Sequence, residues 1–451
     1  MIAPARIAAY QTVLDVAAER ADLPAALARS RSQLADERDR ALAGEIAAGT
    51  LRWQAALDHV IAAFAGRAPG RLDPEILAIL RIGVFQLLHL DRVPASAVVD
   101  DAVDLAKRAG KRSATGLVNA LLRRVSRERA RLPLPPAPND ASAREAALAY
   151  LSITLSHPEW LAERWLDRYG LRATWTWAEF DNQPAPLTLR ANTLRTSRKA
   201  LAEALAQQDV GTEPARFAPD ALVVTSGNPL LTRLVHEGQF FVQDEASQLV
   251  GLFVDAKPGE RILDVCASPG GKTTQMAAAM RDEGFLVAAD VRGKRIALLQ
   301  RTVAEAGARS VRIVQSSARA AAPFTAAFDA VLVDAPCSGL GTIRRDPDIR
   351  WRRTPDELAG LAAAQTTMLT EAATAVQSGG RLVYSTCSSE PEENEEVVAA
   401  FLAAHPEFRA AAPATFESGP RSELLDASGA MRTLPFRDGL EAFFAVSLVR
   451  R

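Results

Sequence analysis

The sequence predicts a multidomain protein with an all-α amino-terminal bundle, a small α+β module and a carboxyl-terminal α/β domain built on a doubly wound sheet. Three observations predict this fold class. Apolar residues recur at helical spacing from residue 5 to residue 130, and the stretch "PLPPAPNDASA" at 133–143 has the composition of a linker. From about residue 240 onward, short apolar strands alternate with helices. A chain of 451 residues is also too long for one hydrophobic core.

These patterns set the predicted domain boundaries. Residues 1–132 form the all-α domain, 133–180 a linker and helical connector, 181–236 the α+β module and 237–451 the α/β domain.

Composition narrows the class of protein. Hydrophobic residues make up 48% of the chain and charged residues 24%, which is typical of a soluble globular protein. Three cysteines provide no disulfide framework, and five scattered histidines lack metal-ligand spacing, so we expect no metal. The start is amphipathic, and no apolar run approaches the ~18 residues of a membrane span. We therefore expect a cytoplasmic protein that acts as a monomer and has no membrane partner.

The amino-terminal domain reads as helices that end in a basic run. Ile7, Tyr10 and Leu14 share one helical face, and "PEILAILRIGVFQLLHL" is a buried helix with Pro74 near its start. Residues 107–131 then carry nine Lys or Arg against the single acid Glu128, although the net charge of the whole chain is only -1. A solvated helix face explains such a run, and contact with a phosphate backbone is the functional alternative.

The middle of the chain changes its period. "PEWLAERWLDRYG" predicts a helix, "PLTLRAN" and "ALVVT" predict strands, and "TSRKALAEALAQQ" predicts a helix capped by Ser197. Together these segments indicate the small α+β module.

The carboxyl-terminal domain contains the segments that carry chemistry. Its predicted strands are "RILDVC", "FLVAAD", "VRIVQ", "AVLVDA" and "RLVYST", with helices over 271–280, 294–306 and 355–376. A parallel doubly wound sheet binds its ligands at the carboxyl ends of its strands. Cys266, Cys337 and Cys387 all follow such ends, which makes a chemical role more plausible than it is for one buried thiol.

The stretch "DVCASPGGKTTQMA" (264–277) indicates a nucleotide-like cofactor. Its glycine pair opens a helix, so that backbone N–H groups and the helix dipole can approach a ligand. A phosphate loop would need glycine where Cys266 stands, which excludes that motif. Asp290 ends the next strand, where a carboxylate can accept both ribose hydroxyls. Both NAD and S-adenosylmethionine fit these features, but a dehydrogenase would need a G-x-G-x-x-G motif, which is absent.

Three long motifs, in this order, resemble the S-adenosylmethionine-dependent RNA cytosine C5 methyltransferases: "DVCASPGGKTTQMA", "DAPCSGLGTIRRDPDIRW" (334–351) and "YSTCSSEPEENEEVV" (384–398). "DRALAGEIAAGTLRW" (39–53) and "LRIGVFQLLHLDRVPASAVVDDAVDLAK" (80–107) are similar to the NusB-like RNA-binding domain of the bacterial Sun/Fmu (RsmB) family. The resemblance implies a Rossmann-like methyltransferase domain, S-adenosylmethionine as cofactor and 16S ribosomal RNA as partner.

The resemblance also implies site residues. Cys387 is the nucleophile that adds to C6 of cytosine, Cys337 assists release of the product, and Asp334 hydrogen-bonds the cytosine ring. Cofactor contacts fall on Cys266, Ala267, Ser268, Pro269, Gly270, Gly271, Lys272, Asp290, Arg295, Ser317 and Asp334. Ser317 stands where the family usually has an aspartate that contacts the adenine, so this chain departs from the family pattern at that contact.

Two features of these motifs have competing explanations. Arg344, Arg345 and Arg350 could bind RNA phosphate near a base pocket, or they could form surface salt bridges. The glutamates of "SSEPEENEEVV" lie near a helix start, where the dipole favours them, so we expect most of them to be structural.

Other functions remain as alternatives. A transfer RNA cytosine C5 methyltransferase shares the catalytic motifs, and only the amino-terminal resemblance argues against it. A DNA cytosine C5 methyltransferase would use the cysteine of the "PC" motif as nucleophile and would not need Cys387. A noncatalytic RNA-binding assembly factor would not need Cys337, Cys387, Asp334 and the glycine loop together.

Overall fold

The computed structural model describes residues 2–138, 143–318 and 324–451 of the chain. The described residues divide into two compact units. The first is Met1–Pro184 together with Ile343–Arg353, and the second is Ala185–Thr342 together with Thr354–Arg451. The four regions predicted from the sequence are a finer division than these two units, and the sequence did not predict that a segment from the carboxyl-terminal half belongs to the first unit.

The amino-terminal part of the first unit is helical, as predicted. Its helices are α1 (Pro4–Ala17), α2 (Leu23–Arg31), α3 (Glu37–Arg52), α4 (Gln54–Ala65), α5 (Pro74–His89), α6 (Ala95–Arg108) and α7 (Thr115–Glu128). Helices α3 and α5 approach closely at Gly49, where a Cβ atom would lie 2.0 Å from the ring of Phe85. The apolar faces of these helices meet in one core, which explains why the helical spacing was readable from the sequence.

The basic run lies on α6, α7 and the turn between them. Its basic side chains are exposed except Lys111, which is half-buried and paired with Asp73 and Glu75. Arg124 stacks on the ring of Phe64 and also bonds Glu128. Most of the run is therefore an accessible cationic surface.

Two further helices complete this stretch of the chain, α8 (Arg144–Ala149) and α9 (Glu159–Asp181). Helix α9 is interrupted at Gly170, whose φ of +75° lies outside the helical region. The predicted connector is thus helical over Arg144–Thr154 and from Glu159 onward, and residues 133–138 of the predicted linker are not helical.

The second unit contains the predicted α+β module as a small antiparallel sheet. Its elements are β1 (Thr188–Ala191), α10 (Arg198–Ala206), β2 (Gly211–Pro214), β3 (Ala221–Ser226), α11 (Arg233–His236) and β4 (Phe240–Val242), with strand order β2-β3-β1-β4. Ser197 caps α10, since its hydroxyl accepts a hydrogen bond from the backbone N–H of Ala200. The sheet extends past the predicted boundary at residue 236 because β4 pairs with β1.

The large sheet carries the candidate site. Its strands are β5 (Arg261–Asp264), β6 (Phe285–Asp290), β7 (Val311–Gln315), β8 (Phe328–Asp334), β9 (Val376–Thr386), β10 (Phe408–Ala410), β11 (Met431–Thr433) and β12 (Phe443–Arg450). The accompanying helices are α12 (Glu245–Phe253), α13 (Gly271–Ala279), α14 (Gly293–Ala306), α15 (Ile349–Arg352), α16 (Asp356–Ala373), α17 (Glu395–Ala404) and α18 (Pro435–Asp438). Among these helices, α15 belongs to the first unit.

The strand order of the large sheet is β7-β6-β5-β8-β9-β12-β10, and β11 also pairs with β12. Strands β5 to β9 run parallel, which confirms the predicted doubly wound α/β architecture. Strand β12 runs antiparallel to β9, a direction that the apolar pattern did not distinguish.

The segment Ile343–Arg353 corrects one interpretation of the sequence. Arg350 does not bind phosphate from the surface, because its side chain is fully buried in the first unit. Its guanidinium donates hydrogen bonds to the backbone oxygens of Ser156 at 2.8 Å and Arg52 at 3.2 Å, and to Oδ1 of Asn182 at 3.0 Å. Burial lowers the pKa of Arg350 to about 9, and burial raises the pKa of the neighbouring Asp181 to about 7.

Replacing Arg350 is expected to destabilise the first unit. Arg350→Ala leaves buried acceptors without a donor, so we expect the free energy of unfolding to fall by about 3–5 kcal/mol. Urea unfolding followed by tryptophan fluorescence measures this unit alone, because it contains all six tryptophans of the chain: Trp53, Trp160, Trp165, Trp175, Trp177 and Trp351. Arg123→Ala, on the exposed face of α7, serves as the control and is expected to change stability by less than about 0.5 kcal/mol. A loss below about 1 kcal/mol in Arg350→Ala would contradict a structural role for this side chain.

Candidate active site

The predicted site residues gather at one edge of the large sheet. Asp290 and Asp334 end the parallel strands β6 and β8, on either side of β5, and Cys387 directly follows β9, which is the next strand along. Cys266 follows β5, and Cys337 follows β8. Parallel strands point their carboxyl ends the same way, so the turns that carry these residues form a common rim.

Cys337 and Cys387 form a thiol pair. Their Sγ atoms lie 3.3 Å apart, within hydrogen-bonding distance for sulfur. Both residues are half-buried. The two cysteines follow separate strands in the sequence, and the fold brings their sulfur atoms into contact.

Backbone contacts hold the two cysteine turns together. The N–H of Gly341 donates to the carbonyl oxygen of Cys387 at 2.9 Å, and the carbonyl oxygen of Gly341 accepts from the N–H of Ala442. A Cβ atom at position 341 would lie 1.9 Å from the carbonyl oxygen of Ala442 and 2.8 Å from that of Cys387. The approach is too close for any side chain, which explains the glycine in "PCSGLG".

The surroundings of Cys337 and Cys266 raise the pKa of both thiols. The hydrogen bond with the Cys387 sulfur, together with burial, raises the pKa of Cys337 well above its ordinary value. Cys337 therefore keeps its proton at neutral pH and can donate it to the Cys387 sulfur. Burial also raises the pKa of Cys266, with further contributions from Asp264, Asp334 and other charged neighbours. Cys266 packs against apolar core residues and stays a thiol.

Asp334 is fixed by two side chains that the sequence did not assign to it. Nζ of Lys272 lies 2.6 Å from its Oδ2, and the hydroxyl of Ser385 donates to its Oδ1 at 2.8 Å. Burial alone would lower the pKa of Lys272, but the adjacent Asp334 carboxylate raises it overall, so Lys272 stays cationic. Lys272 is expected among the cofactor contacts, and its ammonium group lies on Asp334.

The partnership with Ser385 follows from strand register. Asp334 on β8 and Ser385 on β9 are paired Cα partners in the sheet. The motif "YSTCS" contained this serine, but recognising its role required knowledge that β8 and β9 are neighbours in this register.

The glycine loop packs closely against α14. Gly270 has a φ of +108°, and a Cβ atom there would lie 2.9 Å from Cδ1 of Leu299. Gly271 begins α13 directly afterwards. Behind the loop, the fully buried Asp264 accepts a hydrogen bond from the hydroxyl of Thr273 at 2.7 Å, and burial raises the pKa of Asp264 to about 7. The start of α13 is thereby attached to the end of β5.

Asp290 is suited to bind a diol. Its side chain is almost fully buried, and its carboxylate accepts from the backbone N–H groups of Ser268 and Arg292, each at 3.3 Å. Nη1 of Arg295 lies 3.7 Å from Oδ2, and the arginine is half exposed. A carboxylate held in this way keeps acceptor positions for ribose hydroxyls.

An apolar cavity adjoins the glycine loop. Its lining includes Leu263, Val265, Ala289, Val314, Ser317 and Phe324. Val265 and Ala289 directly precede Cys266 and Asp290, so the apolar slot and the diol-binding carboxylate are adjacent along the strands. A carboxylate beside an apolar wall is the kind of surface that a nucleoside binds, and Ser317 lies on that wall.

Within residues 2–138, 143–318 and 324–451, no cluster of three or more His, Cys, Asp or Glu side chains is arranged to hold a metal ion. The helices found in these ranges are too short or too polar to cross a membrane.

Family models match three successive parts of the chain. The model described as 16S rRNA methyltransferase RsmB/F matches residues 252–449. The NusB family model matches residues 3–127, and the ferredoxin-like domain of RsmF/B-like methyltransferases matches residues 157–230. These regions correspond to the large sheet, the helices α1 to α7, and the part of the chain that includes strands β1 to β3 of the small sheet.

Relatives of known name extend the similarity along most of the chain. A Bacillus subtilis protein called probable ribosomal RNA small subunit methyltransferase B is 32% identical over 93% of this chain and 92% of its own length. A Synechocystis protein of the same name is 36% identical over 91% of each chain.

A solved structure shows the same relationship. The methyltransferase homolog protein from Pyrococcus horikoshii is 28% identical, with a TM-score of 0.59 over 68% of this chain and 99% of that one. Together with the matched family models and the long relatives, this identifies the chain. It belongs to the 16S rRNA methyltransferase RsmB/F family and is an S-adenosylmethionine-dependent rRNA methyltransferase.

Proposed function

We propose that this enzyme methylates C5 of a cytosine in 16S rRNA through a covalent bond between Cys387 and C6 of the base. The observation that carries the proposal is the 3.3 Å contact between the Cys337 and Cys387 sulfurs at the sheet edge. A single nucleophile needs no second thiol. Two thiols in contact suit a reaction in which a covalent bond to the substrate is first made and then broken.

Cys387 supplies the nucleophile in this mechanism. C5 of cytosine is a poor nucleophile, and addition of the Cys387 sulfur to C6 moves electron density onto C5. When bound, S-adenosylmethionine supplies an electrophilic methyl group. After C5 is methylated, its proton must leave and the bond between C6 and the Cys387 sulfur must break.

Cys337 acts in that last stage. It retains its proton because its pKa is raised, and its sulfur lies within hydrogen-bonding distance of the sulfur that departs from C6. A donor at this position stabilises the thiolate as it forms. The role is release of the product, and attack on the base does not require it.

Asp334 binds the cytosine ring. Lys272 and Ser385 hold its carboxylate in place, and about a quarter of its side chain, 27%, remains exposed for a ligand. A carboxyl group hydrogen-bonded at N3 of the ring would stabilise the charge that develops when sulfur adds to C6.

The cofactor is held by residues of β5, β6 and the loops after them. The turn from Cys266 to Lys272 brings backbone N–H groups toward it, Asp290 accepts the ribose hydroxyls, and Arg295 supports Asp290. Ser317 lies in the cavity that would receive the adenine.

Ribosomal RNA reaches the enzyme through charge and through exposure of one base. The exposed cations of α6 and α7 suit a phosphate backbone. The cytosine must be turned out of any helix to meet the thiols, so a loop or locally opened RNA is the expected substrate. The names of the Bacillus and Synechocystis relatives support the small-subunit RNA as the target, and transfer RNA is the alternative. A monomer located in the cytoplasm remains a prediction.

Substituting each thiol separately tests the covalent mechanism. With labelled S-adenosylmethionine and 16S rRNA, we expect Cys387→Ala to lose on the order of 10³-fold or more in methyl transfer, because the nucleophile is absent. Cys337→Ala is expected to accumulate covalent protein–RNA adducts on a denaturing gel, since release fails after attack. Cys266→Ala, the third thiol, is the matched control and should form no stable adduct. Methyl transfer that survives in Cys387→Ala would reverse the assignment, and labelling of transfer RNA alone would replace the proposed substrate.

Asp290→Asn tests the cofactor site without relying on turnover. Loss of a charged acceptor should weaken binding of S-adenosylhomocysteine by about 10–100-fold, measured by titration calorimetry. Lys294→Ala removes an exposed charge nearby and is expected to change the dissociation constant by less than about twofold. Equal affinities in Asp290→Asn and the wild type would rule out Asp290 as the ribose ligand.

Salt dependence tests the basic run. The test uses two triple variants with glutamine substitutions. The first changes Arg112, Arg123 and Arg127 of the basic run. The second is the control and changes Arg38, Arg67 and Arg71, which are exposed elsewhere in the first unit. If the run binds phosphates, the first variant should reduce the slope of log affinity for rRNA against log salt by about 2–3, because each arginine–phosphate pair contributes about 0.7–0.9 to that slope. Both variants remove the same charge, so an equal reduction in the second would show that the run is not a distinct RNA surface.

A further inference from the structure

Glu393 is a fully buried acid near the thiol pair that the mechanism above does not use. It lies at the end of a 3-10 turn, Pro391–Glu393, shortly after Cys387. The helix dipole explains acids that face solvent at a helix start, but it does not explain an acid that no solvent reaches. A buried carboxyl group needs hydrogen-bond donors, and the donors that meet Glu393 indicate its role.

One carboxyl group contacts both cysteine turns. Oε1 of Glu393 accepts a hydrogen bond from the backbone N–H of Ser338, the residue after Cys337, at 2.8 Å. Oε2 accepts from the hydroxyl of Ser388, the residue after Cys387, at 2.5 Å. The hydroxyls of Ser338 and Ser388 lie 3.1 Å from each other. Glu393 is therefore a bridge between the two residues that immediately follow the thiols.

The bridge is itself held from two sides. Nε2 of Gln365, on α16, donates both to Oε1 of Glu393 at 2.9 Å and to the carbonyl oxygen of Pro336 at 3.1 Å. On the other side, the hydroxyl of Tyr384 donates to the backbone oxygen of Glu393 at 2.5 Å. The carboxyl group is thus attached to α16 and the backbone of Glu393 to strand β9, which restrains the bridge from both sides.

Asn394 adds a second attachment on the Cys387 side. Its side chain accepts from the hydroxyl of Thr386 at 2.5 Å and donates to the carbonyl oxygen of Ser388 at 3.0 Å. Residues 393 and 394 together enclose the turn that carries Cys387. The Cys337 turn is bonded to this segment by the hydrogen bond from the backbone N–H of Ser338 to Glu393.

We propose that Glu393 is a positioning residue that sets the distance between the Cys337 and Cys387 sulfurs. Its catalytic consequence rests on the proposed function and falls on product release. Attack on cytosine needs the Cys387 sulfur alone, whereas release needs Cys337 next to it. Removal of the bridge therefore slows release more than attack.

A glutamine at position 393 keeps the shape of the side chain and can keep the bridge, whereas an alanine removes the bridge. In Glu393→Gln the amide oxygen can accept from Ser338 and Gln365 as Oε1 does, and the amide nitrogen can donate to Ser388, whose hydroxyl rotates to accept. In Glu393→Ala none of these hydrogen bonds remains. Glu396→Ala removes an exposed acid from the same segment and is the control.

Thiol crosslinking measures the distance between the sulfurs and does not depend on methyl transfer. The full-length protein is treated with diamide, which accepts the two thiol hydrogens as the S–S bond forms. Remaining thiols are alkylated, and tryptic peptides are identified by mass spectrometry. The three cysteines fall in separate peptides, 262–272, 320–344 and 382–409, so the linked pair is read directly.

We expect the wild type, Glu396→Ala and Glu393→Gln to link peptides 320–344 and 382–409 at rates within about threefold of each other. Glu393→Ala should link them at least about tenfold more slowly, because a displacement of about one ångström is enough to part the sulfurs. Binding of S-adenosylhomocysteine by Glu393→Ala, unchanged from the wild type, confirms that the variant is folded. If Glu393→Ala retains this binding and crosslinks as fast as the wild type, the proposal is overturned.

A second readout links the bridge to the reaction. With 16S rRNA and S-adenosylmethionine, Glu393→Ala is expected to accumulate covalent protein–RNA adducts as Cys337→Ala does, while Glu393→Gln should not. If adducts never form in any variant, the covalent mechanism fails, yet the crosslinking result stands by itself. If Glu393→Ala crosslinks slowly and turns over without adduct accumulation, the bridge sets the distance but does not act in release, which contradicts the second half of the proposal.

Discussion

The contact between two sulfur atoms at 3.3 Å is the constraint on which the rest of the site depends. The two cysteines are 50 residues apart in the chain, and their meeting requires β8 and β9 to be parallel neighbours that end at the same edge. It also requires the Cys337 turn to pass close to the Cys387 backbone, which Gly341 allows because it has no side chain. A sheet of any other order would place one thiol on a different edge or at a different depth.

Around this contact the enzyme arranges charges that are satisfied before substrate arrives. Lys272 neutralises Asp334, and Ser385 orients the same carboxylate from the neighbouring strand. The buried Glu393 is supplied with three donors. Burying such groups is costly unless they are paired, and once paired they have little freedom to move. A polar network of this kind limits how far the two sulfur atoms can move relative to each other.

Much of this architecture could be predicted from the sequence, because strand and helix periods are local properties. The β-branched runs that end at Asp290, Asp334 and Thr386 are strands in the structure, and the glycine loop opens α13 as expected. What could not be predicted depends on neighbours distant in the chain. From the sequence, Arg350 was interpreted as a surface cation. The hydrogen-bond acceptors of its guanidinium include Ser156 and Asn182, which lie far earlier in the sequence. The partnership of Lys272 with Asp334 required strand order, and the antiparallel direction of β12 leaves no mark on an apolar pattern.

The most direct test of the account is to locate the covalent bond itself. In 16S rRNA that carries 5-fluorocytidine in place of cytidine, the fluorine at C5 cannot leave as a proton does, so an adduct formed during methyl transfer is trapped. After nuclease and trypsin digestion, mass spectrometry shows which peptide carries the nucleotide. The account predicts a methylated fluorocytidine on Cys387, in peptide 382–409, and only when S-adenosylmethionine is present. The same nucleotide on Cys337, in peptide 320–344, would contradict it.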